Sequence, residues 1–234
     1  MKLEIKKENI PSFKTYLEAL GKLGDEMLIS FENEGILMRI DYAGSVVGRL
    51  ILNKDYFSVF EGEDKYVVFL RDILSYLKKV KDELIITDEN NILNIKSGKS
   101  VFKTPLIAEL KNYPKLPELT FDGKVTVTAD DYNDMISTLG TVKPNVIKLE
   151  RNNSKFMVKT QSNQREVISE ITATEVNSVN DYVFIDFSYL EMFNIKGVYK
   201  INLFFKKDIP MIANIEDTNS KIELLIAPRV GEEF

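Results

Sequence analysis

Three carboxylates crowd into the run ADDYND: Asp130, Asp131 and Asp134. Oxygen ligands at that spacing could hold a divalent cation, and carboxylates are what acid–base chemistry falls back on when imidazole is absent. Imidazole is absent here: the 234 residues include no histidine and no cysteine. Disulfides, thiolate nucleophiles and zinc–sulfur sites are therefore excluded, together with the commonest general base. The same aspartates also suit the first turn of a helix, where negative charge complements the backbone dipole, and the low ligand count favours this reading over metal. Gly98-Lys99-Ser100 resembles the end of a phosphate-binding loop, but Leu93 stands where that loop needs its first glycine. Asn152-Asn153-Ser154 fits a glycosylation acceptor, yet it sits between two alternating runs and reads as a turn. Nothing in this inventory builds a catalytic centre.

The cations are more informative. Lys14 and Lys22 lie eight residues apart with Glu18 between them, and Arg71, Lys78, Lys79 and Lys81 cluster in a second stretch. Each set lies opposite an apolar stripe. One such face is an ordinary solvated helix surface. Two from the same half of a chain make a surface that can follow a phosphate backbone without reading bases, with an affinity that falls as salt rises. The formal net charge of −5 does not forbid this, because charge can be segregated on one surface.

The elements that must carry these residues are mostly strands. MLISFENEGILMRI alternates, turns at Glu34-Gly35 and alternates again; IITDENNILNIKSGKSVFK does so around Asn90-Asn91 and Ser97-Gly98, and VIKLERNNSKFMVKT around Asn152-Asn153. KINLFFKKDIP and KIELLIAP close the chain. Such closely spaced hairpins indicate antiparallel sheet. Four helices are predicted: 12–23 with Ser12 as its cap, 70–80, 129–139, and a short 187–193 ended by Gly197. Strand, helix, hairpins, a Tyr-Val strand running into a helix, then more hairpins: this order occurs twice, Tyr66 falling on Tyr182. The fold class is α+β, two repeated domains each with two helices on antiparallel sheet. The boundaries fall at 1–108, 109–121 and 122–234. The middle piece, with Pro114 and Pro117, is an extended connector whose Leu110, Tyr113 and Leu116 are partly exposed. No apolar run reaches membrane-spanning length and the amino terminus lacks a signal-peptide layout, so a cytoplasmic or nuclear protein is expected.

The repeat, the proline-bearing connector and the ending LLIAPRVGEEF together resemble the sliding clamps of the proliferating cell nuclear antigen (PCNA) family, most of all its archaeal members. KDIPMI at 207–212, FKTPLIAELKNYPKLPELTF in the connector and EGILMR at 34–39 match as well. The resemblance implies a non-enzymatic DNA clamp without cofactor or metal: three chains, copies or paralogues, closed head-to-tail around duplex DNA, with helices lining the hole. It implies tethering of DNA polymerase, clamp loader, flap endonuclease and DNA ligase through PIP-box peptides. DNA contacts would come from Lys14, Lys22, Arg71, Lys78, Lys79, Lys81, Lys143 and Lys196. The peptide pocket would be walled by Ile40, Leu116, Pro210, Leu225, Ile226, Ala227 and Pro228. The subunit edges would hold Lys99, Val101 and Lys103 in one half and Val167, Ser169 and Ile171 in the other. The chain departs from the resemblance at the acidic third helix, which leaves either sister subunits or only Lys143 and Lys196 to supply charge there. A monomeric clamp-like scaffold is the alternative reading.

Overall fold

A computed structural model describes residues 1–107, 113–162, 165–176, 179–193, 195, 197 and 199–231. The chain divides into two compact units, Met1–Pro114 with Asp217–Ile222, and Lys115–Glu216 with Glu223–Phe234. The first unit runs β1 (Lys2–Ile5), α1 (Ile10–Gly21), β2 (Glu26–Glu32), β3 (Gly35–Tyr42), β4 (Val46–Asn53), β5 (Phe57–Glu61), β6 (Lys65–Phe69), α2 (Leu70–Leu77), β7 (Ile85–Glu89), β8 (Ile92–Ser97) and β9 (Ser100–Pro105). Later in the chain come β10 (Val125–Thr128), α3 (Ala129–Gly140), β11 (Val146–Asn152), β12 (Lys155–Ser162), β13 (Arg165–Ile171), β14 (Glu175–Val176), β15 (Asp181–Asp186), α4 (Phe187–Met192), β16 (Lys200–Lys206), β17 (Ile209–Asp217) and β18 (Ser220–Ile226), all of the second unit except the residues 217–222 counted with the first. The order of strands and helices is the same in both.

Pairing repeats too. In the first unit β5-β1-β7-β8-β9 form one sheet and β4-β3-β2-β6 lie side by side; in the second the corresponding orders are β14-β10-β16-β17, with β18 beside β17, and β13-β12-β11-β15. The β1–β5, β2–β3, β7–β8 and β11–β12 ladders are all antiparallel, as the hairpin spacing predicts. The helices bury the faces their spacing marks. Phe13, Leu17 and Leu20 of α1 are almost fully enclosed, as are Leu70, Ile73 and Leu77 of α2 and Tyr132, Met135 and Leu139 of α3. Gly21 lets α1 and α2 approach: a Cβ there would sit 2.6 Å from Leu74 Cδ1.

The predicted ends shift in places. α1 starts at Ile10, so Ser12 is not its cap; Pro11 takes the first turn, where its missing N–H is harmless, and the Ser12 hydroxyl donates to Asn9 O. α2 stops at Leu77, after which Lys79 and Val80 bond three residues back in a tightened turn. α4 ends at Met192, five residues short of Gly197. Asn90 and Asn91 do form a left-handed turn, with φ of 51° and 61°. The other turns sit one residue later or earlier than predicted: Asn153-Ser154, Gly98-Lys99 and Asn33-Glu34 join their strands. Leu110 lies outside the described residues.

Candidate functional site

The cations of the first unit gather on α1 and α2, whose buried faces turn their polar sides outward. Lys22 at the end of α1 is exposed, and so are Arg71, Lys78 and Lys79 on or after α2 and Lys81 beyond. Arg71, Ser75 and Lys78 share one face at i, i+4, i+7 spacing. Asp25 orders the start of α2: it accepts from Arg71 N at 2.7 Å while the Arg71 guanidinium stays largely in solvent. Lys14 differs. Its ammonium is half-buried and donates to Val80 O at 3.1 Å, so it ties α1 to the end of α2 instead of reaching outward.

The second unit has a different electrostatic character. Thr128 caps α3, accepting from Asp131 N at 3.1 Å, and its hydroxyl donates to the Asp131 carboxylate in return. Asp130 and Asp134 project into solvent. The three aspartates thus complement the helix N-terminus, and among the described residues no group of three or more candidate ligands gathers as a metal site. Tyr132, fully buried, donates to Leu190 O at 2.8 Å and ties α3 to α4; that burial pushes its phenol far above the ordinary range. Lys143 is exposed after α3, in a cleft also lined by Asp186, Glu191 and Arg229. Its charge is therefore set among two acids and one other cation. Lys196 lies outside the described residues.

The expected peptide-pocket residues split by strand parity. Pro210, Leu225, Ala227 and Pro228 are half-exposed, as is Leu116 in the connector. Ile226 is wholly buried and Ile40 is 1% exposed, so neither lines a surface as the protein stands. Ile40 points to the packed side of β3, 3.1 Å from where a Cβ on Gly24 would be. Its neighbours Arg39 and Asp41 point to the opposite side of the strand, because successive side chains alternate, and Arg39 is buried there as well. Among them Arg39 makes the contact that sequence reasoning missed. Its guanidinium forms a two-pronged pair with Asp41 at 2.6 and 2.7 Å, donates to Pro114 O at 2.9 Å and lies 5.4 Å from the Tyr113 ring centroid. The start of the connector is thereby fastened to β3. At the other end of the chain Arg229 N donates to Phe184 O at 2.7 Å, and its side chain forks onto Asp186 at 2.8 to 3.1 Å. An arginine followed two residues on by an aspartate on an alternating strand was the available signal for the first of these; nothing in the sequence marks the second.

β9 in the first unit and β13 in the second each end a sheet, as β5, β6, β14 and β15 also do. Lys99, Val101 and Lys103 are exposed along β9, while Val167, Ser169 and Ile171 are half-exposed on β13. The more exposed face of β13 holds Glu166, Ile168 and Glu170, and Ile168 at 53% matches Val101 at 52%. No helix among the described residues is long and apolar enough to cross a membrane.

No family model matches the sequence. The chain is 25% identical to the DNA polymerase sliding clamp of Archaeoglobus fulgidus over 236 residues, covering 94% of this chain and 96% of that one. Its fold superposes with a TM-score of 0.86 on the A. fulgidus PCNA solved with the C-terminal region of FEN-1, at 19% identity and 99% of both chains. It also superposes at 0.83 on a chain of the PCNA2–PCNA3 complex of Sulfolobus tokodaii, at 16% identity, covering 98% of this chain and 99% of that one. The solved structures share this chain's fold, and the sequence relative matches it over nearly its whole length. Along nearly its whole length the chain is thus similar in sequence to an archaeal DNA polymerase sliding clamp and in fold to solved PCNA structures.

Proposed function

We propose that this clamp closes as a ring of three chains around duplex DNA and holds replication and repair enzymes there, without catalysing a reaction itself. The observation that carries the reading is the α1–α2 pair: two helices packed on one sheet unit, presenting Lys22, Arg71, Lys78, Lys79 and Lys81 to solvent. These cations sit on helix surfaces with no arrangement for reading base edges, which suits sequence-blind phosphate contact. A closed ring needs no tight binding, since topology prevents escape. Lys143 and Lys196 are the second unit's candidates for DNA contact.

Partner enzymes dock through PIP-box peptides on the half-exposed apolar residues Leu116, Pro210, Leu225, Ala227 and Pro228, beside the connector 109–121. The A. fulgidus PCNA structure, which carries part of FEN-1, supports this assignment by likeness. DNA polymerase, clamp loader, flap endonuclease and DNA ligase are the expected users, in the cytoplasm of an archaeal cell or at a replication site. The ring closes through the edges of β9 and β13, whose burial also removes an aggregation hazard.

The deciding experiment loads the protein onto nicked circular DNA with a clamp loader and follows its retention before and after the circle is cut. Retention that collapses on linearisation is the expected result. Equal retention on circular and linear DNA would reject encirclement and leave a scaffold that binds without a ring.

A further inference from the structure

Resting on the peptide-docking reading above, we propose that a docked partner peptide continues as an acidic segment across one face of β15, β11 and β12, with its carboxylates on Lys148 and Lys159.

The repeat marks out the path. Phe184, Lys148 and Lys159 stand directly opposite one another on β15, β11 and β12, and Val67, Leu28 and Arg39 do so on β6, β2 and β3. The two rows are equivalent. Glu32 with Gly35 and Asn152 with Lys155 close their hairpins; Leu28 and Lys148 lie four residues before those pairs, Arg39 and Lys159 four residues after. The backbone repeats the match: Ile107 N donates to Val67 O at 2.9 Å, and Arg229 N to Phe184 O at 2.7 Å. In the first unit the chain leaving Ile107 is held again at the far end of the row, where Arg39 donates to Pro114 O at 2.9 Å and lies 5.4 Å from the Tyr113 ring centroid. Val67, Leu28 and Arg39 are 1%, 7% and 7% exposed there. The first unit thus ties its own chain down at both ends of this row. In the second unit the row begins at Arg229, directly after Ala227 and Pro228 of the peptide pocket, and the side chains of Lys148 and Lys159 are 16% and 30% exposed. A peptide seated at those residues has the head of the path beside it.

The chemistry of the row has changed between the units. Leu28 gives way to Lys148 and Arg39 to Lys159, so a row that holds a proline carbonyl and a tyrosine ring becomes one with two ammonium groups. Glu150 shows what they accept: its carboxylate takes Lys148 at 3.0 Å and Lys159 at 3.3 Å. Each ammonium has three N–H donors, and among the described residues Glu150 is the one anion paired with either, so donors remain for further carboxylates. Lys148 also lies 4.6 Å from the Tyr182 ring centroid and Lys207 lies 5.5 Å from it, which brings a third cation to the same end of the face. Of the other acids there, Asp181 accepts from the N–H groups of Tyr182 and Lys207, and Asp186 is engaged by Arg229. A basic segment would meet like charge on this row, and a neutral one would leave the ammonium donors to water.

The test uses peptides that share two aromatic anchors: one with neutral flanks, and two with a run of glutamates placed before or after the anchors. Fluorescence anisotropy at about 0.1 M salt follows their binding to the wild-type chain and to one carrying Lys148→Gln and Lys159→Gln. One acidic peptide should bind the wild type about fivefold more tightly than the neutral peptide, the gain of two surface ion pairs. The double variant should lose that gain and bind the neutral peptide as before. A gain below about twofold from both acidic peptides, or a gain that survives the double variant, would overturn the proposal. If the gain appears only in a chain ending at Gly231, the chain's own acidic end fills the path and the assignment to a partner fails. A second measurement needs neither the anchors nor a variant. A glutamate peptide without aromatics, coupled to the wild type by carbodiimide, should be recovered on Lys148 and Lys159 several-fold above the other lysines; no enrichment there overturns the proposal. An oligothymidine of equal charge that blocks the coupling as well as excess peptide does would make the row a phosphate surface and overturn it too. A neutral peptide that fails to bind, beside selective coupling at these lysines, refutes the pocket alone.

Discussion

Replacing Arg39 by alanine tests whether one side chain fastens the connector to its unit. The guanidinium gives two prongs to Asp41 and a third bond to Pro114 O, and its side chain is 8% exposed. A hydrogen bond to a charged group contributes about 1.5 to 3 kcal/mol, but Asp41 is 23% exposed and water recovers part of that when the partner leaves. Contact with the Tyr113 ring adds about 0.5 to 1 kcal/mol, for a total loss of about 3 kcal/mol. At a urea slope of roughly 2 kcal/mol/M the unfolding midpoint falls by about 1.5 M. Circular dichroism follows it at fixed protein concentration, because self-association would otherwise shift the midpoint. Arg39→Lys should recover little, since a point charge cannot hold Asp41 and Pro114 together in a planar fork. The local readout is tryptic cleavage after Lys115, which should speed by about tenfold in both variants. A midpoint change below about 0.3 M, or full recovery by lysine, would show that the fork does not fasten the connector.

The remaining expectations concern the two surfaces and one half-buried ion cluster. Reversing Lys78, Lys79 and Lys81 to glutamate removes up to three phosphate contacts, so the slope of log affinity against log salt should shrink by as much as about 2.7; an unchanged slope on nicked circles would clear α2 of DNA contact. Leu225→Glu should weaken binding of a peptide with two aromatic anchors, by fluorescence anisotropy, with little change in melting. Ile226→Ala should instead cost about 2 to 4 kcal/mol of stability through a cavity, and selective loss of peptide binding there would contradict its burial. Glu150 is partly desolvated, which raises its pKa, yet Lys148 and Lys159 at 3.0 and 3.3 Å outweigh this and hold it below the ordinary carboxylate range. A lowered folded pKa means a contribution present at neutral pH and lost as pH falls through that lowered value. Glu150→Gln should therefore be less stable by about 1 kcal/mol at pH 7, and the gap should close in acid; a constant gap from pH 7 to pH 2 would remove the charge from the explanation.

The sequence carried the repeat clearly and the strand faces poorly, for one physical reason. α1, α2 and α3 each cover a sheet on one side only, so their apolar residues recur at helical spacing and the buried stripe can be counted off. β3 and the end of β18 are enclosed on both sides over much of their length, as the burial of Ile36, Met38, Arg39 and Ile40, and of Glu223, Leu224 and Ile226, records. The alternation that marks ILMRI and LLIA as strand then leaves both faces apolar, and it gives no ground for choosing between Ile40 and its neighbours as a surface residue. The placement of Lys14 escapes the pattern for a related reason: spacing puts it on the outer rim of α1, but only the tertiary approach of α2 brings Val80 O within its reach. The Arg229–Asp186 fork joins residues far apart in the chain and leaves no local pattern at all.

The acidic start of α3 follows from a conflict between two uses of one position. A helix lining a DNA channel gains from cations, but the first turn of any helix gains from anions. α1 resolves the conflict with Pro11 in its first turn and no acid there. α3 resolves it the other way: Thr128 and Asp131 satisfy each other's donors, and Asp130 adds a second negative charge. Replacing Asp131 by lysine to strengthen DNA contact would break that reciprocal cap at a cost of about 1 kcal/mol, and it would place a cation on the positive end of the dipole. A protein held on DNA by closure has little use for the exchange. Each added cation steepens the dependence on salt and slows sliding, while topology already prevents loss. On the proposed ring reading, the first unit's helix pair would supply the contact that centres the duplex, which leaves the same positions of the second unit to its own stability.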